Sequence, residues 1–263
     1  MSTDKNTRCH IFFLFLLFFL AGCATEFNLA TGREETLFYG TEKEVRIGDS
    51  VAKQVEEKYK ISTDIDINER VEKILSRIVA VCDRKNIVYL IKVIDEDKVN
   101  AVSLPGGYIY IFKGLIDRVE NDEQLAGVIA HEVAHITARH GIKKMQSVYG
   151  YSLMQAAAVA SGEGEVVKGV SAAFSTLFFS YSRQDEFQAD KLAVKYLQKA
   201  GYDPKEIIGM LNVLKAEQEK APLRQLGYFR THPHIEERKA IVNQEITGEL
   251  EFKDYLNLTG QDL

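Results

Sequence analysis

The sequence has 263 residues, of which 46% are hydrophobic and 27% charged, so it is long enough for one large or two small folded domains and is not a disordered chain. Lys and Arg together number 33 against 38 for Asp and Glu, which leaves no basic excess to hold a phosphate backbone. We therefore expect no nucleic-acid partner. With 4 prolines and no short repeat, the composition also argues against collagen-like and low-complexity chains, and a catalytic or binding domain remains.

The first residues have the pattern of a secretory signal peptide. Lys5 and Arg8 precede an unbroken apolar run over residues 11–20, which is too short to span a bilayer comfortably as a mature helix. The run ends at Leu20-Ala21-Gly22-Cys23, an order that resembles the lipobox of bacterial lipoprotein precursors. We predict a lipoprotein signal peptide over residues 1–22.

Cys23 is therefore the predicted lipidated N-terminus. Acyl chains there would hold the protein on a membrane without a spanning helix, since each buried methylene contributes about 0.8 kcal/mol. Ala24 follows and is not Asp, which by resemblance to bacterial sorting signals favours the inner leaflet of the outer membrane, facing the periplasm. The alternatives are an uncleaved anchor or a cysteine that follows a signal peptide by chance. Residues 23–33 are predicted to form a lipidated tether, and residues 34–263 the folded domain.

Apolar residues at helical spacing predict helices over Glu34–Lys60 and Asn68–Cys82. Two segments rich in β-branched and aromatic residues, Ile87–Ile94 and Tyr108–Phe112, predict strands, with a turn at Pro105–Gly107 before the second. The chain that follows is helical in pattern for nearly all its length. This order predicts an α+β fold that is mostly helical, with a small β-sheet.

Apolar stretches flank the Gly-Glu-Gly-Glu sequence at residues 162–165. The stretch from Tyr151 to Ser161 is too short to cross a bilayer, and the following one contains Lys168. We expect a helical hairpin in the core or over a cleft here, in preference to membrane insertion.

The sharpest motif is HEVAH at residues 131–135, inside a predicted helix over Glu123–His140. Four residues advance a helix by roughly 400°, so His131 and His135 project from the same side, one turn apart, at the spacing of metal ligands. Zn²⁺ suits imidazole nitrogen, and a catalytic zinc leaves one coordination position for water. Glu132 can take the proton from that water. The motif predicts one zinc ion per chain; the alternative is an exposed His/Glu face.

A third protein ligand has to come from elsewhere in the chain. The extended motif of the metzincin class needs Gly at position 138 and His at 141, where this sequence has Ala138 and Gly141. His140 is five residues past His135, which turns it off the ligand face, so we interpret it as a helix C-terminal histidine that interacts with the helix dipole. An acidic ligand from a later helix is the remaining simple solution.

Glu186 is the candidate, within a predicted amphipathic helix over residues 180–197. Asp190 lies one turn later on the same face and can accept the free ring N–H of a zinc-binding histidine. Asp185 is the competing ligand but lacks such a partner. Without the HEVAH motif these acids would more often form a solvated helix face.

Four segments together resemble a family of metallopeptidases, the one that includes the CAAX prenyl endopeptidases, the HtpX-type membrane proteases and the periplasmic proteases of outer-membrane assembly. The segments are VNAVSLPGGYIYIFKGL at 99–115, HEVAHITARHG at 131–141, SRQDEFQADKLAVKYLQKAGYDP at 182–204 and RTHPHIEER at 230–238. The resemblance implies a gluzincin-like metalloprotease domain of the lipoprotein branch. It also implies roles for five residues: zinc ligands His131, His135 and Glu186, general base Glu132, and Asp190 as a partner of the ligands.

The resemblance further implies roles for two segments that spacing alone does not place. Asn100, Ala101 and Val102 would lie on an edge strand beside the cleft, where an extended peptide could pair with the backbone; the alternative is an ordinary hairpin. His232 would approach the zinc, either to stabilise the oxyanion or to occupy the fourth position in a latent enzyme. Arg238 matches the family pattern and could pair with a buried acid.

The sequence thus predicts a zinc endopeptidase of the bacterial cell envelope that hydrolyses misfolded or stalled envelope and outer-membrane proteins, with the outer-membrane assembly machinery as a further partner. A second interpretation is a chaperone or binding module for outer-membrane-protein assembly, with latent or secondary protease activity. A third is a structural zinc domain, in which Glu132 is incidental.

Overall fold

A computed structural model describes residues 24–37, 39–147, 181–220 and 227–249. The predicted signal peptide, Cys23 and the predicted helical hairpin around residues 162–165 lie outside the described residues. The strands are β1 Ala24–Asn28, β2 Arg33–Leu37, β3 Leu90–Ile94, β4 Ala101–Ser103 and β5 Tyr108–Phe112. The helices are α1 Thr41–Lys58, α2 Ile65–Val79, α3 Lys113–Ile116, α4 Asp122–Thr137, α5 Arg183–Ala200, α6 Glu206–Lys220, α7 Gly227–Thr231 and α8 Ile235–Thr247.

The fold is the mostly helical α+β arrangement that the sequence predicts, with a small sheet beside the HEVAH helix. In the described part of the chain, every helix is too short or too polar to cross a bilayer.

The N-terminal residues form a β-hairpin where the sequence analysis places a tether. β1 pairs antiparallel with β2, with Ala24 opposite Leu37. The prediction of a helix that begins at Glu34 is therefore wrong at its start, because residues 34–37 belong to β2. The lipidated tether over residues 23–33 stays a prediction. The alternation of apolar and polar residues that marks a strand is weak here, because most of the hairpin side chains are exposed or half-buried.

Two ion pairs fasten this hairpin to the chain that follows α4. Arg139 Nη1 lies 2.6 Å from Glu26 Oε2 of β1, and Lys143 Nζ lies 2.5 Å from Glu35 Oε1 of β2. The hairpin is thus attached to the residues directly beyond the HEVAH helix.

The second sheet has three strands in the order β3-β5-β4. β3 runs parallel to β5, and β4 runs antiparallel to it, with Val102 opposite Tyr110. β4 therefore lies at the edge of the sheet.

A tight turn at Pro105–Gly107 joins β4 to β5 and lies between α1 and the segment before β3. Gly107 has φ 108°, and a Cβ on it would lie 2.0 Å from the carbonyl oxygen of Val88. No side chain fits at that distance, so the turn requires glycine there.

Helix α4 lies at the centre of the molecule, packed against α2, α5, α6 and β4. Asn121 caps its N-terminus by accepting a hydrogen bond from Gln124 N at 2.8 Å. Every residue from Gln124 to Thr137 is buried, including the polar residues of the motif. A helix buried on all sides can hold its side chains rigidly, which suits a site of defined geometry.

Candidate metal centre

The two histidines of the HEVAH motif lie one turn apart on α4, as their spacing predicts. His131 Nε2 and His135 Nε2 are 3.0 Å apart, and both side chains are buried. Two residues are thus presented by one rigid helix toward a common point.

Glu186 reaches the same point from α5. Its carboxylate oxygens lie 3.4 Å from His131 Nε2 and 3.4 Å from His135 Nε2. α5 begins at a capping box, in which the side chain of Ser182 accepts from Asp185 N and the Asp185 carboxylate accepts from Ser182 N. This cap occupies Asp185, so the competing acid is not part of the cluster.

His232 joins the cluster from the short connection between α7 and α8. Its Nδ1 atom lies 3.0 Å from Glu186 Oε1 and 3.2 Å from His131 Nε2. In the described part of the chain, one group has the composition and spacing of a metal site: His131, His135, Glu186 and His232, whose ligand atoms all lie within 4.8 Å of one another.

The chemistry of these atoms fits a divalent cation. His131 Nδ1 lies 2.9 Å from Asp190 Oδ1, and a carboxylate accepts hydrogen bonds, so Nδ1 carries the proton and Nε2 presents a lone pair. That lone pair faces His135 Nε2 and Glu186 Oε2, an oxygen that Arg238 Nη1 approaches to 3.2 Å without hydrogen-bond geometry. Buried electron donors that face each other need a proton or a cation between them. Two imidazoles and a carboxylate are a zinc donor set.

Arg238 of α8 holds the acids of α5 in place. It donates to both oxygens of Asp190, from Nε at 2.8 Å and from Nη2 at 2.9 Å, and its Nη1 lies 3.2 Å from Glu186 Oε2. Burial raises the pKa of Asp190, but the charges and hydrogen bonds of Arg238 and His131 together outweigh burial and lower the pKa below its usual value. For Glu186, burial is likewise outweighed by His232 and Arg238, and its pKa falls well below the ordinary range. Both acids are therefore ionised.

Glu132 points at the same centre without belonging to the ligand group. Its Oε1 lies 3.2 Å from His232 Nε2, and within the described chain neither of its buried carboxylate oxygens has a partner in hydrogen-bond geometry. Burial raises the pKa of Glu132, but His232, His135 and His131 together outweigh burial and lower the pKa to about 2. The carboxylate is ionised and has free lone pairs, as a proton acceptor requires.

His135 and His232 differ in the direction of their pKa shifts. Burial lowers the pKa of His135 to about 3, so its ring stays neutral and able to bind a metal. Burial also lowers the pKa of His232, but the carboxylates of Glu186 and Glu132 outweigh it and raise the pKa to about 9.

His140 does not have the predicted role of a helix C-terminal histidine that interacts with the helix dipole. It is buried, and its Nδ1 lies 2.8 Å from His135 Nδ1. The interpretation fails because α4 ends at Thr137 and Arg139 adopts a left-handed conformation, with φ 60°, so the spacing of a continuous helix does not apply. Helical residues resume at 140–147.

Two tyrosines that the sequence analysis does not identify pack on the cluster. The Tyr181 ring stacks on His135 with centroids 4.0 Å apart and an angle of 18°, and the Tyr228 ring lies 4.7 Å from that of His232. Neither tyrosine belongs to a recognisable motif. Tyr181 lies just before α5 and Tyr228 on α7, so their contact with the cluster depends on how these segments pack against α4.

The predicted peptide-binding residues lie at the edge of the sheet. Ala101 and Val102 are in β4, and Asn100 precedes it. Phe112 N donates to Asn100 O, so by antiparallel alternation the backbone groups of Val102 face β5 and those of Ala101 face outward. Thr231, next to His232, donates from Oγ1 to Asn100 Oδ1 at 3.3 Å. The strand thus begins beside the segment that carries His232.

Comparison with known proteins gives one family and several relatives. The model of peptidase family M48 matches residues 66–246. The chain is 25% identical over 224 residues to the beta-barrel assembly-enhancing protease of Escherichia coli strain K12, over 81% of this chain and 45% of that protein. It is 32% identical over 166 residues to the mitochondrial metalloendopeptidase OMA1 of Arabidopsis thaliana, over 61% of this chain and 32% of that protein. It thus spans about half the length, or less, of these curated relatives.

Proposed function

The chain belongs to peptidase family M48, and on that premise we propose that it is a zinc-dependent endopeptidase of the bacterial cell envelope. The observation that carries this proposal is the convergence of His131, His135 and Glu186 on one point, with the ionised Glu132 beside it. The E. coli relative is named as a protease and the Arabidopsis relative as a metalloendopeptidase, which supports the same activity here.

His131, His135 and Glu186 would hold the zinc ion, and His131 is oriented for this by Asp190. When bound, zinc would polarise the scissile carbonyl and lower the pKa of a water molecule toward about 7. The carboxylate of Glu132 takes the proton from the attacking water and delivers it to the leaving amine. The negative charges of Glu132 and Glu186 are fixed before substrate arrives, because the surrounding residues keep their pKa values low.

We propose that an extended peptide substrate pairs with the outer side of β4. The backbone groups of Ala101 that face away from β5 include one donor and one acceptor, and α4 packs directly against this strand. Ala101 is fully buried, so the substrate would have to displace the chain that covers it. Recognition through backbone groups selects for an unfolded segment more than for a sequence. This supports misfolded or stalled envelope proteins as substrates, and the name of the E. coli relative, which refers to beta-barrel assembly, points to outer-membrane proteins among them.

The substitution Glu132→Gln tests the proposal. The variant keeps the shape of the side chain and the zinc ligands but cannot take a proton, so we expect it to bind zinc and to fold while casein digestion falls by about 10²-fold or more. Zinc content by elemental analysis and casein digestion are measured together.

The matched control is Glu72→Gln, which makes the same chemical change on the exposed face of α2 and should leave digestion unchanged. Undiminished digestion by Glu132→Gln would refute the role of Glu132. A wild-type protein without zinc would refute the metal site itself.

A second candidate function is favoured by the position of His232. Its Nδ1 lies within 3.2 Å of two proposed ligands while its Nε2 faces Glu132, so it occupies the space that a water and a substrate carbonyl need. We propose that zinc binding displaces the proton that Glu186 and Glu132 otherwise hold on His232, so that His232 serves as a fourth ligand and the enzyme is latent. The cleft could then hold outer-membrane proteins during assembly, with proteolysis secondary.

A further inference from the structure

We infer that His140 is a positioning residue that holds His135 in one tautomer and one ring orientation. The inference rests on the proposed function in one respect, namely that His131, His135 and Glu186 bind zinc. His140 itself lies outside that group of ligands.

The contact is direct and buried. The Nδ1 atoms of His135 and His140 are 2.8 Å apart, and the two rings meet edge to face at an angle of 71°. The other nitrogen of His140, Nε2, lies 2.9 Å from Oε1 of Gln188 on α5. His140 therefore bridges the HEVAH helix to the helix that carries Glu186.

Counting donors and acceptors assigns the protons along this chain. The amide oxygen of Gln188 can only accept, so His140 Nε2 carries the proton. The Nδ1 atom of a neutral His140 then presents a lone pair, and His135 Nδ1 must donate to it. This leaves the lone pair of His135 on Nε2, the atom that faces Glu186 and His131. The contact thus selects the tautomer in which His135 can bind a metal at the shared centre.

The backbone is built to make this contact. On a continuous helix His140 would project about 140° away from His135, because each residue turns the chain by about 100°. Arg139 instead has φ 60°, an uncommon conformation for a residue that is not glycine. Its guanidinium is held by Glu44 and Glu26, which stabilise the turn. The change of direction at Arg139 returns His140 to the His135 ring.

The two zinc histidines are thereby held by different means. His131 donates from Nδ1 to the ionised Asp190, which is itself held by Arg238. His135 donates from Nδ1 to the ring nitrogen of His140, whereas His131 donates to a carboxylate. A carboxylate acts on this ligand only through His140, whose Nε2 lies 3.5 Å from Asp185 Oδ1.

The test compares His140→Leu with His140→Asn. The two new side chains have nearly the same branched shape, but only asparagine offers an oxygen that can accept from His135 Nδ1. Zinc affinity is measured by competition with a chromogenic chelator, and the visible spectrum of the cobalt-substituted protein reports ligand geometry. We expect His140→Leu to weaken zinc binding by about 10–100-fold and to alter the spectrum, and His140→Asn to restore most of the affinity.

A second variant tests the same contact in case the His140→Leu protein does not fold. Gln188 is half-buried, so Gln188→Leu should fold even if the His140→Leu protein does not. It removes the nearer of the two acceptors that face His140 Nε2 and leaves Asp185 Oδ1 at 3.5 Å, so we expect a smaller but measurable loss of zinc affinity. Wild-type affinity in both leucine variants, or equal losses in His140→Leu and His140→Asn, would overturn the inference while leaving the zinc site intact. A wild-type protein that binds no zinc would overturn the proposed function and this inference with it.

Discussion

At the scale of single residues, the sequence predicts those contacts that depend on the spacing within one helix. His131 and His135 lie side by side because four residues make about one turn, and Glu186 and Asp190 follow the same rule on α5. The contact of His140 with His135 could not be predicted in this way. It depends on the left-handed backbone of Arg139, for which the residue type gives no local signal.

Removal of His232 separates its two possible roles. If His232 closes the site as a fourth ligand, His232→Ala should raise casein digestion, because the remaining three ligands still bind zinc and the fourth position becomes open. A rise of about tenfold corresponds to about 1.4 kcal/mol, a modest cost for displacing one ligand. A fall of about 10²-fold would instead identify His232 as a group that stabilises the oxyanion. Digestion rates at equal zinc loading give the answer.

At the scale of elements, local composition predicts the bounds of a helix or strand best where one face of the element, or all of it, is buried. The strand over Tyr108–Phe112 has the bounds that its β-branched and aromatic residues predict, since it lies in the middle of the sheet and pairs on both sides. The β1–β2 hairpin gives no such pattern. Ion pairs to Arg139 and Lys143 attach it to the rest of the fold, and it has little buried apolar surface. The predicted end of the HEVAH helix, His140, lies three residues beyond the observed end of α4 at Thr137. The left-handed backbone of Arg139 accounts for the difference.

The turn at Arg139 can be tested by two substitutions that remove the same ion pairs. Arg139→Gly and Arg139→Ala both lose the contacts with Glu44 and Glu26, so both should be less stable than the wild type. They differ in backbone strain, because alanine disfavours φ 60° and glycine does not. We expect the glycine variant to be more stable than the alanine variant by about 1 kcal/mol in urea unfolding. The opposite order is the expected result for a helical residue and would contradict the left-handed turn.

At the scale of the whole molecule, one central helix determines how the parts of the site meet. α4 supplies two proposed ligands and the proposed base, α5 a third ligand, and the connection from α7 to α8 supplies His232. The fold class follows from the order of predicted elements. The approach of the α7–α8 connection to α4 does not, because it depends on packing between segments about 100 residues apart.

Attachment of the whole molecule to a membrane is tested at Cys23. In a bacterial host we expect the wild type in the membrane fraction and Cys23→Ser in the soluble periplasmic fraction, because the thiol that would carry the acyl chains is absent. Cys82→Ala is the matched control and should remain with the membrane, since Cys82 is a buried core residue. Membrane association of Cys23→Ser equal to that of the wild type would show that another part of the chain makes the attachment.

If Cys23 carries acyl chains, the β1–β2 hairpin would limit the distance between the proposed zinc site and the bilayer. Its first strand begins at Ala24, immediately after the proposed acylation site, and Glu26 and Glu35 fasten it to the residues beyond α4. An acyl anchor in that place leaves almost no slack between lipid and fold. The proposed zinc site would then stay at a nearly constant distance from the leaflet, and a substrate protein would have to approach the membrane surface to be cleaved.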